Sequence, residues 1–65
     1  MLRLNIEGMT CGHCVRSVTA AVKSVDPTAD VRVDLGAKRV EAETAADPSA
    51  IIRAIADAGY VAAPA

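Results

Sequence analysis

Two cysteines, one histidine and one methionine fall within seven residues near the start of the chain, in the stretch "GMTCGHC" from Gly8 to Cys14. Cys11 and Cys14 are the only cysteines in the 65 residues, and His13, between them, is the only histidine. A pair of thiols at this spacing has three uses: holding a soft metal ion, cycling as a redox dithiol, or closing a disulfide. The last would stabilise little, because so short a loop has little chain entropy to lose. The N-terminal "MLRLNIEG" lacks the apolar segment and small-residue cleavage site of a secretory signal, so the chain is expected in the cytosol. Thiols there stay reduced, and a close cysteine pair reads as a metal or redox site.

Composition removes other uses. Formal net charge is −1, with the charges spread along the chain and no basic stripe, so nucleic acid is not an expected partner. No apolar run approaches the roughly 20 residues of a membrane span, so membrane insertion is not expected either. Tyr60 is the only aromatic residue, and the core must be aliphatic. The length accommodates one domain, residues 1–65.

The elements that must position the cysteines follow from periodicity. "LRLNIE" alternates Leu2, Leu4 and Ile6 with Arg3, Asn5 and Glu7, the period of a half-buried strand that Gly8 ends. From about Cys14, Val15, Val18, Val22 and Val25 form a helical stripe, with Arg16, Thr19 and Lys23 off it. Valine is a mediocre helix former, so packing must hold this helix, and Pro27 stops it. A second strand places Val31, Val33 and Leu35 inward. Gly36 to Lys38 turn the chain into a return strand over Arg39 to Thr44. Asp47-Pro48 opens a second helix, a side-chain cap followed by proline at the first helical position. Ile51, Ile52, Ile55 and Ala56 or Ala58 supply its apolar stripe, and Gly59 its stop. Tyr60 to Ala63 read as a short last strand.

Strand, helix, strand, strand, helix, strand fits an α+β, ferredoxin-like βαββαβ sandwich: a four-stranded antiparallel sheet with two helices on one face. In that plan Cys11 lies in the loop before the first helix and Cys14 in its first turn, both sulfurs facing the same exposed end. The unpaired N–H groups of a helix start favour negative charge, which makes thiolate readily available there. Two soft thiolates in a glycine-containing loop match Cu(I), whereas a structural zinc site usually closes with four ligands, and there is no second cysteine pair. Taken alone, the Cys-x-x-Cys spacing leaves metal and redox chemistry both open, though 65 residues leave no room for a thioredoxin core.

"GMTCGHC", the alternating strand before it and the "DAGY" from Asp57 to Tyr60 together resemble the heavy-metal-associated domain family. Within it the chain is most similar to small bacterial copper chaperones of the CopZ type, from Leu2 to about Val61. The resemblance implies the ferredoxin-like fold and Cu(I) held by Cys11 and Cys14. It also implies delivery of that copper to the N-terminal metal-binding domains of a copper-transporting P-type ATPase. It favours Met9 packing under the loop over Met9 as a thioether ligand. It places Tyr60 in a loop beside the metal, where some eukaryotic copper chaperones carry a charge-neutralising lysine.

The remaining loop residues have supporting roles. Thr10 is expected to make a backbone hydrogen bond near the helix start, and Gly12 to give the loop mobility. His13 should point to solvent, open to a role in ligation, in tuning the thiols or in contacting a partner. Arg16 and Lys23 flank the site on the exposed side of the helix and are suited to steering toward an acidic patch. Rival readings are a carrier of Zn(II), Cd(II) or Hg(II), a dithiol redox protein, and a detached metal-binding domain of a transporter. A start at Met1 and a chain filled by one domain favour a free chaperone over the last. Two exposed cysteine pairs can share copper, so a metal-bridged homodimer is compatible with the sequence.

Overall fold

A computed structural model describes residues 2–9 and 12–65. In chain order the elements are β1 (Leu2–Glu7), α1 (Gly12–Val25), β2 (Asp30–Asp34), β3 (Arg39–Glu43), α2 (Pro48–Asp57) and β4 (Val61–Pro64). The four strands form one sheet in the order β2-β3-β1-β4, every neighbouring pair antiparallel. This is the ferredoxin-like arrangement expected from the sequence. β1 is central because both of its neighbours come from later in the chain: Leu4 lies opposite Val40 of β3 and Pro64 of β4.

The alternating pattern of β1 buries Leu4 and Ile6 and leaves Arg3, Asn5 and Glu7 in water. Val40 and Ala42 of β3 lie on the same inner face. Against them pack Val18 and Val22 of α1 and Ile51 and Ile55 of α2, and the eight largest side chains of the core are under 2% exposed. The outer face of the sheet is polar. One ion pair crosses it, Arg3 Nε to Glu41 Oε2 at 3.1 Å, and exposed pairs of this kind stabilise little.

Several boundaries differ from the sequence reading, each for a local reason. Leu35 does not extend β2 inward but lies 36% exposed in the turn. The Asp34 carboxylate accepts the Ala37 N–H at 3.0 Å and turns the chain one residue early. In the same turn Lys38, not Gly36, takes the left-handed conformation, at φ 54°. Thr44 falls outside β3 because its hydroxyl bonds to side-chain and backbone groups beyond the strand. α2 turns Ala54 rather than Ala56 or Ala58 toward the core: at about 100° per residue Ala56 lies off the Ile51–Ile55 stripe, and Ala58 is past the end of the helix. β4 includes Pro64 and excludes Tyr60, and proline is tolerated there because β4 is an edge strand.

The antiparallel order divides the molecule into two ends. Gly8, the start of α1, the 35–38 turn and Gly59-Tyr60 share one end. The connections from α1 to β2 and from β3 to α2 share the other.

Candidate metal centre

The cysteine-bearing segment joins β1 to α1. Gly8 leaves the strand with φ +89°, a backbone conformation that costs a residue with a Cβ. Met9 then turns inward and is 1% exposed, part of the core with Leu4 and Ile6. Thr10 and Cys11, both assigned roles from the sequence, lie outside the described residues. α1 starts at Gly12, two residues before the start read from the valine stripe. Gly12 therefore lies in the helix rather than at a mobile loop position.

Cys14 is the third residue of α1, in its first turn as expected. Its side chain does not face open solvent, however. Cys14 is 9% exposed and packs with the core, and its thiol donates to the Gly8 carbonyl across 3.9 Å. The expectation of two exposed sulfurs is corrected for this one. On a helix the next-door position turns away by about 100°, and Cys14 shares the inward stripe with Val18, Ala21 and Val22. His13, one residue earlier, is exposed as predicted, and so are Arg16 and Lys23.

Tyr60 reaches this end by way of the α2 terminus. Gly59 adopts φ +99°, with its N–H bonded to the Ala56 carbonyl at 3.0 Å and the Tyr60 N–H bonded to the Ile55 carbonyl at 3.2 Å. This is the glycine-terminated helix stop that wraps the chain back over its last turn. It leaves Tyr60 half-buried, with ring carbon Cδ1 3.6 Å from where a Cβ on Gly8 would stand. Gly8 thus sits between two of the residues singled out from the sequence. Its carbonyl accepts from Cys14 and its α-carbon faces the Tyr60 ring. The sequence reading treated Gly8 only as the end of a strand. The available signal was its place directly between an alternating strand and the cysteines.

A thiol at a helix start is suited to a soft cation, and the chain's other cysteine is Cys11. Among the described residues, no three His, Cys, Asp or Glu side chains converge as a ready-made cage. The Glu7 carboxylate, the nearest acid in sequence, is on the exposed face of β1.

Comparison with known proteins agrees with this geometry. The model of the heavy-metal-associated domain matches residues 3–61. The copper chaperone CopZ of Bacillus subtilis (strain 168) is 40% identical over 60 residues, which cover 88% of this chain and 87% of that protein. Copper-transporting ATPase 2 of Rhizobium meliloti (strain 1021) is also 40% identical, over 57 residues; these are 85% of this chain but 7% of the ATPase. Among solved structures, the copper chaperone Atx1 from Synechocystis PCC6803, in a trimeric Cu1 form, superposes with a TM-score of 0.92. It is 35% identical, covering 97% of this chain and all of that one. The N-terminal domain of PacS from the same organism gives 0.89 at 26% identity, covering 98% of this chain and 94% of that one. The fold, the strand–glycine–helix joint that bears the cysteines and the match over residues 3–61 lead to one assignment: this chain belongs to the heavy-metal-associated domain family.

Proposed function

We propose that this domain is a cytosolic copper carrier that holds Cu(I) between the thiolates of Cys11 and Cys14 and has no catalytic activity. The observation carrying the proposal is the "GMTCGHC" segment at the joint of β1 and α1, with Cys14 in the first helical turn beside the Gly8 carbonyl. Similarity to copper chaperones across most of the chain supports copper over Zn(II), Cd(II) or Hg(II). So does the donor chemistry, since two thiolates suffice for Cu(I) but leave zinc short of its usual four ligands.

Copper is the cargo, and handing it on is ligand exchange. An acceptor thiolate forms a Cu–S bond and one of the two carrier Cu–S bonds breaks; a second acceptor thiolate then replaces the remaining carrier sulfur, and each released carrier thiolate takes up a proton. No electrons change hands. Because Cys14 is buried, it is assigned the role of the anchored ligand. The acceptor is an N-terminal metal-binding domain of a copper-transporting P-type ATPase, a reading supported by similarity to parts of such ATPases. Met9 supports the site from the core, Thr10 and Gly12 shape its approach, and Tyr60 supports it through Gly8. His13 stands at its solvent side, available to a partner or to a second copy sharing copper in a metal-bridged dimer.

The test is anaerobic competition with a Cu(I)-specific chelator for the parent, Cys11→Ser and Cys14→Ser proteins. Copper retention unchanged in both variants rejects the assignment. Competition among Cu(I), Zn(II), Cd(II) and Hg(II) on the same protein separates the metals, and a redox titration separates the dithiol alternative. A second reading has specific support: Copper-transporting ATPase 1 of Rhizobium meliloti (strain 1021) is 42% identical over 57 residues, 7% of its length. On that reading the domain is the receiving partner, part of a transporter. Immunoblotting of the native host distinguishes a small free polypeptide from a band of transporter size.

A further inference from the structure

At the end of the molecule away from Cys14, one carboxylate joins segments far apart in sequence. Asp26 follows α1 directly, its N–H bonded to the Val22 carbonyl at 3.1 Å. Its Oδ1 accepts the Thr28 N–H at 3.1 Å and the Thr28 hydroxyl at 2.7 Å. Its Oδ2 accepts the Thr44 hydroxyl at 2.6 Å, from the connection between β3 and α2. The Thr44 oxygen in turn accepts the Ala46 N–H at 3.0 Å. A chain of hydrogen bonds therefore runs from the turn after α1 to the approach of α2, across 18 residues of sequence between Asp26 and Thr44.

A helix C-terminus disfavours a carboxylate, because its unpaired carbonyls already carry partial negative charge. The placement of Asp26 is thus not explained by the helix it ends. It is explained by the donors it gathers, which hold its pKa below the ordinary aspartate value of 3.8, the Thr44 hydroxyl foremost and the Thr28 groups next. Lys23 of α1 is the cation nearest to Asp26 in sequence, and it forms no ion pair with it.

We propose that Asp26 is a clasp that makes the two crossover connections, residues 26–29 and 44–47, a single opening unit. Neither connection has a backbone–backbone hydrogen bond to the other; the Asp26 carboxylate, bonded to the Thr44 hydroxyl and to the Ala45 backbone, is the polar link through which one feels the other. Bonds to an ionised acceptor are the stronger kind, and networks of them open together rather than piecemeal.

Native-state amide exchange on the full chain tests this through cross-effects. Thr44→Val leaves the Thr28 N–H bond to Asp26 in place, yet it should speed exchange at Thr28, on the order of tenfold. Asp26→Ala leaves Thr44 and Ala46 in place, yet it should speed exchange at Ala46 by a similar factor. Asp26→Asn, which keeps one acceptor oxygen, serves if Asp26→Ala does not fold and carries the same expectation in reduced measure. If each variant alters exchange only within its own connection, the two are independent and the clasp is rejected.

Discussion

The two ends of this domain are held by opposite means. Around Cys14 itself, the contacts among the described residues include soft ones: the Met9 side chain in the core, a 3.9 Å thiol-to-carbonyl contact, and a tyrosine ring lying over glycine. At the Asp26 end they are short and directional, with hydroxyl-to-carboxylate distances of 2.6 and 2.7 Å. On the proposed carrier reading, a site that must admit and release a metal benefits from burial without a rigid polar lattice, because exchanging sulfur ligands then breaks no strong internal bond. The opposite end has no such demand and is free to use a clasp.

This contrast can be broken at defined points. The largest effect is expected from the sulfur ligands themselves: Cys11→Ser or Cys14→Ser should lower Cu(I) affinity well beyond about 100-fold, past the range of supporting-residue changes. Chelator competition reads it, and unchanged circular dichroism would confirm that the fold persists. Next comes Met9→Ala, which empties a fully buried site and should cost about 2–5 kcal/mol in urea unfolding. Met9→Leu should recover most of that and leave copper binding nearly intact, which separates packing from thioether ligation.

Gly8→Ala is expected to cost about 1–2 kcal/mol through its left-handed backbone. It should also weaken copper binding, since Gly8 supports both Cys14 and Tyr60. A fall in stability with copper affinity unchanged would detach the glycine from the site.

Asp26 offers a pH test at the other end. Its folded-state pKa is depressed, so its contribution is present in full above the unfolded value of 3.8 and is lost as pH falls through the lower folded value. The stability gap between the parent and Asp26→Asn should therefore be widest near neutral pH and close in acid below 3.8. Asp47, also depressed by its bonds to Ser49, titrates in both proteins and cancels from the difference. The smallest effect is expected at Lys38, where Lys38→Gly relieves a left-handed backbone and should stabilise the protein by about 0.5 kcal/mol after the entropy cost of glycine. Thermal unfolding with copper affinity measured alongside would place this turn outside the metal site if only stability moves.

Much of the architecture was legible because its signals are local. The alternation of Leu2, Leu4 and Ile6, the valine stripe of α1 and the Asp47-Pro48 start of α2 each require only a few neighbouring residues. In the structure Asp47 caps α2 by accepting the Ser49 N–H, as its position suggested. Where the reading slipped, a side chain outside the pattern had intervened. Asp34 shortened β2 by capturing Ala37, and Thr44 left β3 to bond with Asp26, 18 residues away. Of the candidate site, the outward His13 was readable from its place at the helix start, and the inward Met9 from the family resemblance. The burial of Cys14 was readable in part, since it stands four residues before Val18 on one helical stripe, but its contact with the Gly8 carbonyl was not, because that depends on the backbone path out of β1.

The sequence by itself determined the order of elements, the family to which the chain belongs and the pair of sulfurs available for a soft metal. These rest on residue type, spacing and short-range periodicity, which survive any arrangement of the elements. The tertiary structure alone decided that Gly8 stands between Cys14 and Tyr60, and that Asp26 binds two connections at the far end. Both involve atoms brought together by packing two βαβ halves around one aliphatic core, and no local pattern in the chain encodes that approach.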